Sequence, residues 1–259
     1  MPELPDVETY RKKLQKKALR HTINDIKINK SKVVKISKKE IKSLTGHRFT
    51  DTSRKGKLCF LKSGNNKWLV LHFGMTGDVK AYKKKEKEPD YAAATFILKG
   101  KNNVSIISKR KLGKIELCDS PEAYAEKNKI GVDALECTKK HFMDLLQKKK
   151  GNIKSALMDQ SLISGLGNVY TDEILYQSGI HPKQKVEKLE DKELKRLHSK
   201  MRSVLSQAIK KEAQPDKFPP RFLIPHRDKN ESCPGCKGKV KKITVSGRST
   251  YFCPSCQQK

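Results

Sequence analysis

The chain has 259 residues, room for one large domain or two to three small ones. Lys and Arg number 58 against 28 Asp and Glu, a net charge of +30. Such an excess points to an anionic partner, nucleic acid ahead of an anionic membrane surface, and says nothing about fold. No apolar run reaches the ~18 residues of a membrane span. The start, Met1-Pro2-Glu3-Leu4-Pro5-Asp6, lacks the basic and apolar regions of a signal peptide, so a cytoplasmic chain is expected.

Residues 6 to 19 have helical spacing, with Val7, Tyr10, Leu14 and Ala18 on one face and Lys and Arg on the other. From Ile23 to about Leu117 short strands replace it, as at Leu58-Cys59-Phe60-Leu61, Trp68-Leu69-Val70-Leu71, Ala94 to Leu98 and Val104 to Ile107. Turns such as Gly64-Asn65-Asn66 separate them, and this spacing predicts a sandwich or barrel. Ser120-Pro121-Glu122 reads as a helix start, Ser120 capping and Pro121 at the first helical position. Helices are expected near 139–148, 152–159, 168–178 and 190–211. In the last, Leu194, Leu197, Met201, Leu205 and Ile209 form a stripe read as core.

Ser164-Gly165-Leu166-Gly167-Asn168 precedes the third of these helices. Glycines let backbone approach a ligand closely, and a helix N-terminus offers unpaired N–H groups to an anion. Asn168 could cap the helix or donate its amide to a phosphate. The turn does not follow a strand and is too short for a P-loop, which excludes the nucleotide-binding motifs. On spacing alone it is equally a helix joint that needs glycine for packing.

From about 213 to 232 a Pro-rich stretch (Pro215, Pro219, Pro220, Pro225) reads as a linker. Beyond it, Cys233-x-x-Cys236 and Cys253-x-x-Cys256 stand sixteen residues apart, the spacing of a two-knuckle metal site. Four thiolates favour one structural Zn2+ with no open position; an iron site and two disulfides are the other options. Lys239–Val245 and Ser249–Phe252 alternate like hairpin strands turning at Ser246-Gly247-Arg248. Arg248 is then either a DNA probe or an ordinary exposed turn arginine. Cys59 and Cys118 lie in strand-like segments and are expected as buried free thiols.

Pro2-Glu3-Leu4-Pro5-Asp6-Val7-Glu8 resembles the N-terminal signature of the formamidopyrimidine-DNA glycosylase and endonuclease VIII family. Further segments match in the family's order: Arg54-Lys55-Gly56-Lys57, His72-Phe73-Gly74-Met75-Thr76-Gly77, Arg110-Lys111-Leu112-Gly113, Lys154 through Met158-Asp159-Gln160, Gly165 through Glu173, and Gly247-Arg248. The resemblance spans nearly the whole chain. It implies a multidomain α+β fold: an N-terminal helix plus β-sandwich (1–130), a helix–two-turn–helix domain (131–215), and a linker with a four-cysteine zinc finger hairpin (216–259). Double-stranded damaged DNA would lie in a cleft between the lobes of a monomer, with no membrane involved.

The resemblance also implies roles for single residues. Pro2, freed by removal of Met1, is the nucleophile. An α-amine near pKa ~8 is on the order of a tenth neutral at pH 7, whereas a lysine near ~10.4 is almost wholly protonated. A secondary amine still forms an iminium with the opened sugar, which acidifies C2′ and brings on β- and then δ-elimination. Glu3 is the general acid/base on the sugar oxygen, with a helix-dipole partner as its plainer reading. Lys57, His72, Asn168 and Arg248 are phosphate clamps, and Lys154 is a weaker one. Lys57 and Arg248 are also assigned to the catalytic set. Met75, Arg110 and Leu112 fill the gap left by the flipped nucleotide, leucine standing where family members carry an aromatic. Glu8, as a possible base, and Glu173 fall near the lesion pocket. The short Pro-rich 212–232 segment and Pro225-His226-Arg227 before the first cysteine favour formamidopyrimidines over 8-oxoguanine. An oxidised-pyrimidine enzyme and a non-catalytic zinc-containing DNA-binding protein remain as alternatives.

Overall fold

The computed structural model describes residues 1–259 apart from Lys229, Lys237 and Lys259. Two compact units divide the chain, Met1–Lys129 and Ile130–Lys259.

In the first unit, α1 (Leu4–Lys17) begins two residues earlier than its apolar spacing suggests. Glu3 and Asp6 cap it reciprocally, and Pro5 sits in the first turn, where its missing N–H costs nothing. Eight strands follow: β1 (Ile23–Ile28), β2 (Phe49–Lys55), β3 (Leu58–Ser63), β4 (Trp68–His72), β5 (Gly77–Lys83), β6 (Ala92–Leu98), β7 (Asn102–Ser108) and β8 (Lys114–Cys118). They form two four-stranded sheets, ordered β1-β6-β7-β5 and β2-β3-β4-β8. Both sheets close on one aliphatic core with the apolar face of α1; Val7, Leu14, Leu61, Leu71, Val79 and Ile106 belong to it. Phe49 of one sheet meets Phe96 of the other edge to face, centroids 5.4 Å apart. A helix among the strands, α2 (Lys38–Leu44), lies in a region read as strands. Ser37 and Glu40 start it as a capping box. The other face of β3 is covered too: Phe60 packs on Tyr124 of α3 (Pro121–Lys127), a helix started by Ser120 as expected.

The second unit holds β9 (Val132–Asp133), α4 (Lys139–Gln147), α5 (Ile153–Met158), β10 (Ile163–Ser164), α6 (Asn168–Ser178), α7 (Asp191–Lys210), β11 (Lys241–Val245) and β12 (Arg248–Phe252). The α7 stripe is buried, as its spacing requires, through Leu194, Leu197, Met201 and Leu205. The Pro-rich stretch is not a free linker. It makes 3-10 turns at Pro215–Lys217 and Ile224–His226, and Phe222 and Leu223 are fully buried. The hairpin turns on two residues: Val245 pairs with Arg248 across Ser246 (φ 48°) and Gly247 (φ 73°). Two consecutive left-handed residues suit a tight hairpin and place Arg248 on the strand itself. Among the described residues no helix is long and apolar enough to cross a membrane.

Candidate active site and nucleic-acid interface

Pro2 is half-buried and Glu3 is 2 % exposed. The Glu3 N–H donates to Asp6 Oδ2 at 2.8 Å, which fixes the backbone beside Pro2. Burial raises the Asp6 pKa against these hydrogen bonds.

Glu8, one turn on, is not placed to be a base. Arg11 grips it through Nε (3.0 Å) and Nη2 (2.7 Å), and Arg54 donates to it at 3.2 Å. Burial acts to raise its pKa, but the two guanidinium groups outweigh it and hold the carboxyl below its ordinary range. Arg54 also donates to the Gly56 carbonyl at 3.1 Å. Gly56 is left-handed (φ 55°) at the β2–β3 turn that carries Lys57. Glu8 therefore braces the turn of Lys57 against α1.

His72 ends β4, paired in register with Leu58 on one side and Lys114 on the other. Burial, then the charges of Lys57 and Lys114, lower its pKa, which favours the neutral ring at pH 7. Gly74 (φ 62°) lies so close to the next loop that a Cβ would stand 2.5 Å from the Leu112 carbonyl carbon. That contact binds the 73–76 and 109–113 loops together. Arg110 N–H donates to Thr76 Oγ1 at 3.0 Å, and Arg110 Nη1 meets Met75 Sδ at 3.2 Å. Met75 (43 %) and Leu112 (51 %) are both exposed apolar side chains. The three expected wedge residues thus share one solvent-facing tip.

In the second unit, Gln160 holds the glycine turn. Its amide donates to the Met158 and Leu166 carbonyls (2.9 and 2.7 Å), and its oxygen accepts from Gly165 N–H (3.1 Å). Gly167, not Asn168, is the N-cap of α6. Asn168 donates instead to the Ser249 carbonyl at 2.9 Å, tying the helix start to the hairpin strand that carries Arg248. Arg248 itself is exposed.

Lys154 needs correction as a phosphate contact. It is 1 % exposed and bonded to Asp172 (2.6 Å) and Thr250 Oγ1 (2.7 Å). Asp172 also accepts from Arg227 Nη2 (2.7 Å) and Tyr251 N–H (3.1 Å). This buried cluster locks α5, α6, the Pro-rich stretch and β12 to one another, and its periodic sequence positions carry no sign of it. Glu173 is likewise interior: fully buried, it accepts from Gln177 Nε2 (2.7 Å) and Ile224 N–H (2.8 Å), and burial pushes its pKa up to about 7.

The sulfurs of Cys233, Cys236, Cys253 and Cys256 all lie within 4.8 Å of one another. Gly235 and Gly238 N–H groups point at Cys233 and Cys236 sulfurs (3.4 and 3.3 Å), the pattern of tight knuckles that stabilise thiolates. A closed set of four thiolates fits structural Zn2+ and leaves no position for substrate. Cys59 and Cys137 are buried free thiols, and Cys118 is only half-buried.

A two-sheet sandwich followed by a helical unit that ends in a four-cysteine hairpin is the domain order of a DNA-repair glycosylase of the helix–two-turn–helix class. Three family descriptions match in order: the formamidopyrimidine-DNA glycosylase N-terminal domain over residues 1–115, the formamidopyrimidine-DNA glycosylase H2TH domain over 130–218, and the zinc finger found in FPG and IleRS over 230–259. The formamidopyrimidine-DNA glycosylase of Heliobacterium modesticaldum is 30 % identical, with 100 % of each chain covered; that of Bacillus subtilis is 29 % identical, again over 100 % of both. Among solved structures, the Lactococcus lactis enzyme in complex with abasic-site DNA matches with a TM-score of 0.89 at 30 % identity, covering 99 % of this chain and 100 % of that one. The same enzyme with DNA containing a formamidopyrimidine matches at 0.89 and 29 %, covering 99 % and 100 %. The chain belongs to the formamidopyrimidine-DNA glycosylase family, whose members couple glycosylase and AP-lyase chemistry in base-excision repair.

Proposed function

We propose that this chain excises oxidised purines from duplex DNA, formamidopyrimidines before 8-oxoguanine, and nicks the strand at the resulting site. Freed of Met1, the Pro2 nitrogen attacks C1′ of the damaged nucleoside, and the base departs as the glycosidic bond breaks. The nitrogen lone pair then forms the iminium with the opened sugar. Loss of the C2′ proton expels the 3′ phosphate, and a second elimination expels the 5′ phosphate. Glu3 shuttles protons at the sugar oxygen. Lys57, His72, Asn168 and Arg248 hold the flanking phosphates, and Met75, Arg110 and Leu112 fill the emptied stack. Zinc, held by the four cysteines, would fix the shape of the hairpin. The chain acts as a monomer in the cytoplasm, on nucleoid DNA if its source is a prokaryote.

The observation that carries this reading is the buried Glu3, capped against Asp6 directly beside Pro2. A buried carboxylate needs hydrogen-bond donors, and the Glu3 side chain accepts from the Asp6 backbone N–H in the capping box, which holds it next to Pro2. Glu173 supports the reading from the helical unit only as a packing residue, and Lys154 and Glu8 as positioning residues. The test is excision and nicking on duplexes carrying formamidopyrimidine-guanine, 8-oxoguanine or thymine glycol. Cleavage ranked in that order supports the proposal. Preference for thymine glycol would place the chain with the oxidised-pyrimidine enzymes, and binding without cleavage would make it a zinc-containing DNA-binding protein.

A further inference from the structure

A groove of about 560 Å³ lies in the second unit beside the hairpin turn, lined by Lys183, Lys185, Lys188, Asn152, Thr244 and Ser246 among others. Its walls are built rather than fortuitous. The 151–153 segment is zipped to 184–186: Ile153 N–H donates to Gln184 O and Val186 N–H to Gly151 O, both at 2.8 Å. On the opposite side, Ser246 is tied to Ser155 Oγ (2.7 Å) and to Asn152 Nδ2 (3.2 Å). Ser246 has a positive φ of 48°, a conformation that costs a non-glycine residue energy and that fixes its hydroxyl at the rim.

Lys183, Lys185 and Lys188 are exposed, and among the described residues none of their ammonium groups is ion-paired. Among the described residues no carboxylate lines the groove. Glu187, between the lysines, accepts from Gly151 N–H at 3.1 Å. Three exposed lysines without a salt bridge, Lys185 among them in the field of the Glu187 carboxylate, stand with hydroxyl and amide donors in a fixed channel at one end of the hairpin that carries Arg248, and they match the chemistry of a phosphodiester chain. Duplex DNA presents one charge per ~1.7 Å, so a strand that runs on past Arg248 offers further phosphates to such a channel.

We infer that this groove is a second backbone-binding site, gripping the duplex beyond the phosphates that flank the lesion. The inference rests on the reading of Arg248 as a DNA contact. The site adds affinity and reach along undamaged DNA and takes no part in the chemistry.

The test compares the wild type with a Lys183→Gln, Lys185→Gln, Lys188→Gln triple variant on lesion duplexes of about 12 and about 30 base pairs across a salt series. On the longer duplex the triple variant should bind at least tenfold more weakly at low salt, with the slope of log affinity against log salt shallower by about 2 to 3. On the shorter duplex binding should be unchanged, and the excision rate at saturating enzyme should be the same on both. The corresponding triple Lys→Arg variant should keep the wild-type slope. An unchanged slope on the longer duplex, or equal losses on both lengths, overturns the inference. Absence of excision by every protein would instead sink the enzymatic reading, leaving the slope comparison intact.

Discussion

Lys154 and Asp172 form an ion pair of 2.6 Å with both side chains essentially removed from solvent. Asp172 spends its other oxygen on Arg227 and the Tyr251 N–H, so the pair anchors β12 and hence the strand that presents Arg248. Removing one partner leaves a buried charge uncompensated, at a cost of about 3–5 kcal/mol. Lys154→Met should therefore lower unfolding stability by that order, read by urea denaturation, and weaken DNA binding through loss of hairpin geometry. A variant of full stability with weaker binding would return Lys154 to direct phosphate contact.

Glu173 makes stability depend on pH. Its folded pKa is raised from 4.5 to about 7 by burial, against hydrogen bonds from Gln177, Ile224 N–H and Leu223 N–H and the charge of Arg227. The folded state therefore binds the proton more tightly than the unfolded chain. This contribution favours folding most below about pH 4.5 and is lost as pH rises through about 7. Glu173→Gln should flatten that decline. The wild type should lose on the order of 1–3 kcal/mol relative to the variant between about pH 5 and pH 8. Parallel stability profiles would contradict it.

The proposed wedge invites a gain of function. Leu112 is 51 % exposed at the same tip as Met75 and Arg110, and an aliphatic side chain there fills space without stacking. Base–aromatic stacking contributes about 1–3 kcal/mol. Leu112→Phe should tighten binding to an abasic-site duplex several-fold in a fluorescence anisotropy titration, and Leu112→Ala should weaken it. Identical affinities for all three would remove Leu112 from the interface.

Zinc removal should act on the second unit. Cys233 and Cys253 pack with Tyr176, Leu223 and Val240 in a small cluster of their own, so the hairpin has little apolar core to stand on. Cys253→Ser, or a strong chelator, should release one zinc per chain by metal analysis and abolish duplex binding while the sandwich stays folded by circular dichroism. Active protein free of zinc would contradict this.

Much of this architecture is legible in the sequence because periodicity and spacing report local structure well. The buried stripe of α7, Ser120 as a cap and the two cysteine knuckles all follow from patterns a few residues long. What escapes is long-range. Lys154 sits in a short helix with no mark that Asp172 and Thr250 will enclose it. Glu8 reads as an acid near an active end, and only the fold brings Arg54 to it from 46 residues away. Asn168 follows glycine as a cap should, yet Gly167 takes the cap and frees the side chain for Ser249. The prolines of 215–225 suggest a linker, whereas Phe222 and Leu223 bury it.

Borohydride trapping reads out whether the Pro2 amine does the chemistry. Duplexes carrying formamidopyrimidine-guanine and 8-oxoguanine are incubated with the enzyme and reduced. A covalent protein–DNA band should form, stronger with the first lesion, lost when the N-terminus is blocked and sharply weakened by Pro2→Gly. A band that survives blocking would assign the nucleophile to a lysine. No band on either lesion or on an abasic site would rule out iminium chemistry at Pro2.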